Sequence, residues 1–143
     1  MEPENRPFEV AYVETTEECV ALHRFLCVVS QGVLMAPIDP NASIFEVIRV
    51  RDEGISLVAR LDGEIIGALG LTPATWWYNP QVAYFTDRWF FVYPQFHHLG
   101  VSMALLVEAA AVAYEAGLDL VIQGKIKHRA KHLGSGVFFT QPQ

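Results

Sequence analysis

The chain has 143 residues, enough for one domain that buries roughly 70% of its unfolded surface and needs no staples. Hydrophobic residues make up 52% and charged ones 18%, which excludes a disordered chain, and a net charge of −6 argues against a general nucleic-acid binder. The longest apolar stretch, 103 to 114, is broken by Glu108 and falls short of the ~20 residues a membrane span requires.

The first predicted element is a strand from Phe8 to Val13. Thr15 and Glu18 then form a Thr-x-x-Glu capping box, and Leu22, Phe25, Leu26 and Val29 follow at helical spacing up to Gly32. Cys19 and Cys27 fall within that helix, about 12 Å apart along its axis, too far for a disulfide. Two free thiols, and a polar, acidic start with no signal-peptide pattern, lead us to expect a reducing cytoplasm. Asp39-Pro40 is the start signal of a second helix with Ile44, Val47 and Ile48 as its buried stripe.

Ile55 to Arg60 and Glu64 to Leu71 read as strands joined at Asp62-Gly63, a strong hairpin signal. Trp76 to Pro80 reads as a loop and Tyr84 to Val92 as a strand. Val101 to Ala116 is a helix closed by Gly117; with only Ser102, Glu108 and Glu115 clearly polar, it is expected to be buried on most sides. Leu118 to Ile122 is a short apolar strand, expected to be central and parallel to a neighbour. A short helix at 127 to 133 and a last strand at Val137 to Thr140 complete the order. The class is α/β with a mixed sheet in one domain, 1 to 143.

The stretch from Val92 to Leu106 carries the most information. A strand enters a turn marked by Pro94, and the turn leads through Gly100 into the long apolar helix. Free backbone N–H groups at such a helix start favour an anion. The layout resembles the acyl-CoA motif of the Gcn5-related N-acetyltransferase (GNAT) superfamily: V-x-P, two residues, Arg/Gln-x-x-Gly-x-Gly/Ala, and a helix opening with paired leucines. Val92, Pro94, Gly100, Leu105 and Leu106 match, while His97 replaces Arg or Gln and Ser102 replaces Gly or Ala. The segment Leu57 to Gly67 resembles the same family's second hairpin, and the element order is similar along nearly the whole chain. The resemblance implies a mostly antiparallel mixed sheet flanked by helices. A Trp-rich loop and small size also resemble acetyltransferase-like proteins of bacteriophages.

The resemblance implies acetyl-CoA as co-substrate. Its pyrophosphate would lie on the main chain of His98, Leu99, Gly100, Val101, Ser102 and Met103, beside His97, with the dipole of the helix adding a favourable field. Its pantetheine arm would pair with the strand end at Phe91 and Val92. Strict alternation places Asp87 on one face with Phe85, Trp89 and Phe91. A carboxylate in that position is the candidate general base for an amine acceptor; an ion pair with Arg88 or Lys125 is the plainer reading.

Trp76, Trp77 and Tyr78 form an aromatic cluster that either lines an acceptor or partner surface or packs over the core edge. Lys125, Lys127, His128, Arg129, Lys131 and His132 make a basic patch for the CoA 3′-phosphate or an acidic partner. His128 and His132 are spaced for a metal but have no third ligand, so no metal site is expected.

The C-terminal part departs from the family. Lys127 stands for its Asn and Ser135 for its Phe, and the position of the usual thiolate-protonating Tyr falls on Gly134 or Ala130. Tyr93 and Tyr78 are the remaining tyrosines considered for that role. A shortened final hairpin leaves a sheet edge for a second copy of the chain. Two readings follow: an acetyl-CoA-dependent N-acetyltransferase acting on a primary amine, or a non-catalytic protein of that fold that binds a macromolecule through its aromatic loop and basic patch.

Overall fold

The computed structural model describes residues 5–31, 34, 36–122 and the backbone of 137–139. Gly32 as a helix end, the basic patch, the short helix at 127 to 133, and the comparison of 127 to 135 with the family lie outside the described residues.

The local start and stop signals act as read. β1 (Glu9–Tyr12) leads to α1 (Thr16–Val29), where Thr15 accepts from the Glu18 N–H and the Glu18 carboxylate accepts from the Thr15 N–H. α2 (Pro40–Glu53) starts with Pro40 in its first turn, and the Asp39 carboxylate accepts from the N–H groups of Asn41 and Ala42. β2 (Ile55–Leu61) and β3 (Glu64–Trp76) turn at Asp62 (φ 53°) and Gly63 (φ 83°), the paired left-handed residues of a type I′ hairpin.

β3 continues well past Leu71, and β4 (Asn79–Val92) begins at Asn79, not at Tyr84. The expected loop shrinks to Trp77 and Tyr78. Trp76 stacks between Tyr84 and Tyr78 at centroid distances of 4.2 and 5.7 Å, so the cluster is the tip of a long hairpin. Pro94–Leu99 forms a 3-10 turn, followed by α3 (Val101–Ala116), β5 (Asp119–Ile122) and β6 (Val137–Phe139).

The strands form one sheet in the order β1-β2-β3-β4-β5-β6. Pairing is antiparallel from β1 to β4 and parallel from β4 through β5 to β6, as a mixed, mostly antiparallel sheet requires. Alternation along the inner strands supplies two cores. Leu57, Leu69, Leu71, Phe85, Leu120 and Ile122 pack under α3; Val58, Ala68 and Trp89 pack under α1 and α2 with Leu22, Phe25, Val47 and Val50.

α3 is not buried on most sides. Val101, Leu105, Leu106, Ala109 and Ala113 form one buried stripe, whereas Met103, Val107 and Tyr114 face outward. An apolar composition hides this, because Ala and Val at outward positions raise hydropathy without contacting the core. α3 approaches the sheet closely at Gly67. A methyl group there would lie 2.9 Å from Val101 Cγ1 and 3.1 Å from Val92 Cγ2, so the hairpin glycine seats the first turn of α3 against the end of β4.

Candidate functional site

The site begins with an irregularity in β4. Gly70 pairs with Trp89 but Leu71 pairs with Asp87, so Arg88 is an extra residue. A bulge of this kind sends two successive side chains to one face. Arg88 reaches Glu46 on α2, with Nε 3.0 Å from Oε1, and Trp89 packs in the α1/α2 core. Beyond the bulge, Phe91 stays on the α1/α2 side, while Phe90 and Val92 pack against the α3 core.

This corrects the expected surroundings of Asp87. Its cross-strand partner Leu71 lies in the α3 core with Phe85, so half-buried Asp87 shares a face with Phe85 and not with Trp89 or Phe91. Strict alternation from 85 to 91 fails because the extra residue resets the period.

The strand end is the second component. β4 pairs with β5 only over Tyr84–Thr86, while its pairing with β3 runs on to Val92. Residues 87 to 92 therefore extend past the last described pair with β5. Tyr93 N–H donates to Ile66 O at 2.9 Å, which fixes the chain as it leaves the sheet. The Tyr93 ring meets Phe25 of α1 edge-on at 5.0 Å. Tyr93, Gln95 and Phe96 also line an open cleft of ≈ 590 Å³ against the β2–β3 turn.

The turn is the third component. Gly100 has φ 78° and ψ 25°, a left-handed conformation that glycine adopts without a Cβ penalty. A Cβ there would meet nothing within 4 Å, so the space above the turn is open. Gly100 is also the N-cap of α3 and supplies no side-chain cap. Its own N–H donates to His97 O at 3.3 Å and its carbonyl accepts from Ala104 N–H at 3.0 Å. The first-turn donors of α3 are the N–H groups of Val101, Ser102 and Met103, whereas the Gly100 N–H points back to His97 O.

The side chains of the turn divide by exposure. His98 and Met103 are exposed, Leu99 is half-buried against the α3 core, Val101 is fully buried, and Ser102 is intermediate. The exposed His97 ring lies with Nε2 3.2 Å from Val92 O, so Nε2–H donates to the strand end. Sequence reading missed this bond, since nothing in the spacing of Val92 and His97 indicates a ring folded back across the turn.

Ion pairs at Glu46 and Glu18 anchor the helices beside the site. Glu46 accepts from both Arg49 and Arg88, and these cations, Arg49 foremost, hold its carboxyl below the usual carboxylate range. Glu18, lowered first by the Thr15 N–H bond, also takes Arg60 of β2 at 3.0 Å, which ties α1 to the sheet. Among the described residues no group of three His, Cys, Asp or Glu is placed to hold a metal, and no helix is long and apolar enough to cross a membrane.

The tyrosines separate clearly. Tyr93 follows the strand end directly. Tyr78 precedes the first residue of β4, and the 14 residues of that strand span roughly 45 Å. Tyr78 therefore belongs to the opposite end of the strand from Val92 and cannot share its chemistry.

No family model and no curated protein sequence matches the chain. Solved structures do. A ribosomal-protein-alanine N-acetyltransferase from Brucella melitensis biovar Abortus is 16% identical, with 84% of this chain and 80% of that one aligned at a TM-score of 0.65. An aminoglycoside 6′-N-acetyltransferase from Acinetobacter baumannii is 11% identical, covering 85% and 82% at 0.67. A GNAT family acetyltransferase from Staphylococcus aureus is 14% identical, covering 90% and 96% at 0.63. These are bacterial proteins, and they lend no support to the resemblance to bacteriophage proteins. The chain carries the fold of the GNAT superfamily of acetyltransferases.

Proposed function

We propose that the chain is an acetyl-CoA-dependent N-acetyltransferase that moves an acetyl group to a primary amine. The observation that carries this reading is the open, left-handed Gly100 turn, which leads from the end of β4, past its last described pair with β5, into a helix with no side-chain cap. The N–H groups of Val101, Ser102 and Met103 suit the pyrophosphate, and the main chain of Phe91 and Val92 suits the pantetheine arm. Substitution of His97 and Ser102 is tolerable where the main chain does the holding.

When bound, acetyl-CoA supplies a thioester carbonyl open to attack. The chain's own contribution is positioning of the two substrates. Asp87 is the candidate base for the ammonium proton of the acceptor, directly or through water. Tyr93 is the tyrosine nearest to the strand end and the better of the two candidates for a proton donor to the leaving thiolate. The neighbours acting on a ribosomal-protein alanine and on aminoglycosides both modify amines, which supports an amine acceptor of either small-molecule or protein type. The reading includes a cytoplasmic site of action and a second copy covering the β6 edge.

A panel of amines, assayed for CoA thiol release and acetylated product, tests this. Product with at least one amine is expected. Tight acetyl-CoA binding with no transfer to any of them favours the second reading, a non-catalytic binding protein. The specific observation behind that reading is the hairpin tip, where Trp77 is 92% and Tyr78 64% exposed.

A further inference from the structure

Away from the strand end, three polar side chains from two helices meet at one nitrogen. His23 Nε2 lies 2.6 Å from Ser43 Oγ and 3.6 Å from Cys27 Sγ. His23 and Cys27 stand one turn apart on α1, and Ser43 comes from the start of α2. All three are half-buried. Ser43 Oγ also lies 3.3 Å from Pro40 O.

This arrangement lets Nε2 act either as acceptor or as donor. With Nε2 unprotonated, the Ser43 hydroxyl or the Cys27 thiol donates to it. With Nε2 protonated, Nε2–H donates to Ser43 Oγ, and the hydroxyl turns its own hydrogen to the Pro40 carbonyl. A proton passed from Cys27 to Nε2 is held in the same way, and the sulfur left behind is a thiolate, the nucleophilic form of cysteine. Cys19 gives the contrast on the same helix. It is fully buried in the apolar core under α1, and burial pushes its thiol up.

We propose that Cys27 is a modification site: the thiol of this chain that exchanges with low-molecular-weight disulfides, with His23 as its base and Ser43 as the residue that positions His23. The Cys27 thiol gives its proton to His23 Nε2. The thiolate attacks one sulfur of the disulfide, a new S–S bond forms, the old one breaks, and the other half leaves as a thiolate that takes a proton from solvent. An open concavity of ≈ 440 Å³, lined by Leu34, Ile38 and Ala42 with Asp39 and Glu46, meets the cluster at Ser43 and offers its apolar part to the organic part of the adduct.

The full chain treated with glutathione disulfide tests this, with each cysteine followed by peptide mass analysis. The expected result is a mixed disulfide on Cys27 and none on Cys19. His23→Gln should slow the Cys27 reaction on the order of 10-fold. Ser43→Ala should slow it several-fold and Ser43→Thr restore it, which a merely structural role of Ser43 would not produce. Continued protection of Cys19 reports that each variant remains folded. A Cys27 rate unchanged by His23→Gln, with Cys19 still protected, overturns the proposal. So does a parent protein whose Cys27 reacts no faster than cysteine in an unstructured peptide, whatever the variants do.

Discussion

Arg88 Nε donates to Glu46 Oε1 at 3.0 Å, and the donor is the residue left unpaired by the bulge in β4. The bond therefore ties α2 to the point where β4 changes phase, directly after Asp87. The pair is partly solvated, with side chains 49% and 32% exposed, so its stability contribution is limited to about 0.5 kcal/mol. Arg88→Ala should lower stability by no more than that, while loosening the bulge that positions Asp87. Amide exchange that rises at 87 to 89 with little change in melting temperature is the expected pattern.

The Glu46 carboxyl is lowered in the folded state by Arg49 and then Arg88. A carboxylate with a depressed folded pKa contributes stability that is fully present above its unfolded value, near ~4.3, and that is lost as pH falls through the folded value. Glu46→Gln should therefore be less stable than the parent at pH 7, by a fraction of a kcal/mol to about 1 kcal/mol. The two melting curves should converge as pH falls below the unfolded value and through the folded one. A gap that does not narrow on acidification would assign the effect to packing and not to charge.

Gly67 leaves α3 and β4 too close for a side chain between them, with a methyl contact of 2.9 Å to Val101 Cγ1. Gly67→Ala should cost about 1–3 kcal/mol through displacement of the first turn of α3. The same displacement should weaken acetyl-CoA binding, although Gly67 is not part of the proposed cradle. Denaturant unfolding and calorimetry measure the two effects separately.

His97 donates to Val92 O from an exposed position, so its removal should cost only about 0.5–1 kcal/mol. Acetyl-CoA affinity of His97→Ala should fall modestly, because the proposed cradle is main chain. A larger affinity loss for His97→Ala than for Gly100→Glu would refute the backbone cradle.

Much of this architecture is legible from local chemistry. The Thr15–Glu18 box, the Asp39-Pro40 start and the Asp62-Gly63 turn each satisfy specific backbone groups or dihedrals, and each stands where the residues indicate. The extension of β3 was hidden by Pro73. The proline is tolerated because the β2 ladder ends at the Ile55–Leu71 pair, so the N–H it lacks has no β2 carbonyl to meet. The bulge was hidden because one extra residue leaves composition and spacing looking regular while it moves Trp89 and Phe91 to the other face from Asp87. Side-chain ties such as Arg88–Glu46 and His97–Val92 depend on tertiary placement that no local pattern encodes.

If the chain is the proposed enzyme, Asp87→Asn should lower turnover by roughly 10²-fold or more at pH 7, with acetyl-CoA affinity unchanged. The deficit should shrink as pH rises, because the acceptor amine then loses its proton to solvent. Steady-state rates from pH 6 to 10 on one accepted amine check both parts. Equal turnover of variant and parent at pH 7 would remove Asp87 from the chemistry.

Titration calorimetry of acetyl-CoA into the parent and into Gly100→Glu tests whether the Gly100 turn holds acetyl-CoA. The variant places bulk and negative charge in the open space above the turn. The parent should release heat of binding and melt at a higher temperature in millimolar acetyl-CoA, and the variant should do neither while remaining folded. No heat and no shift in the parent, or equal binding by a folded Gly100→Glu, would rule out acetyl-CoA binding on this turn.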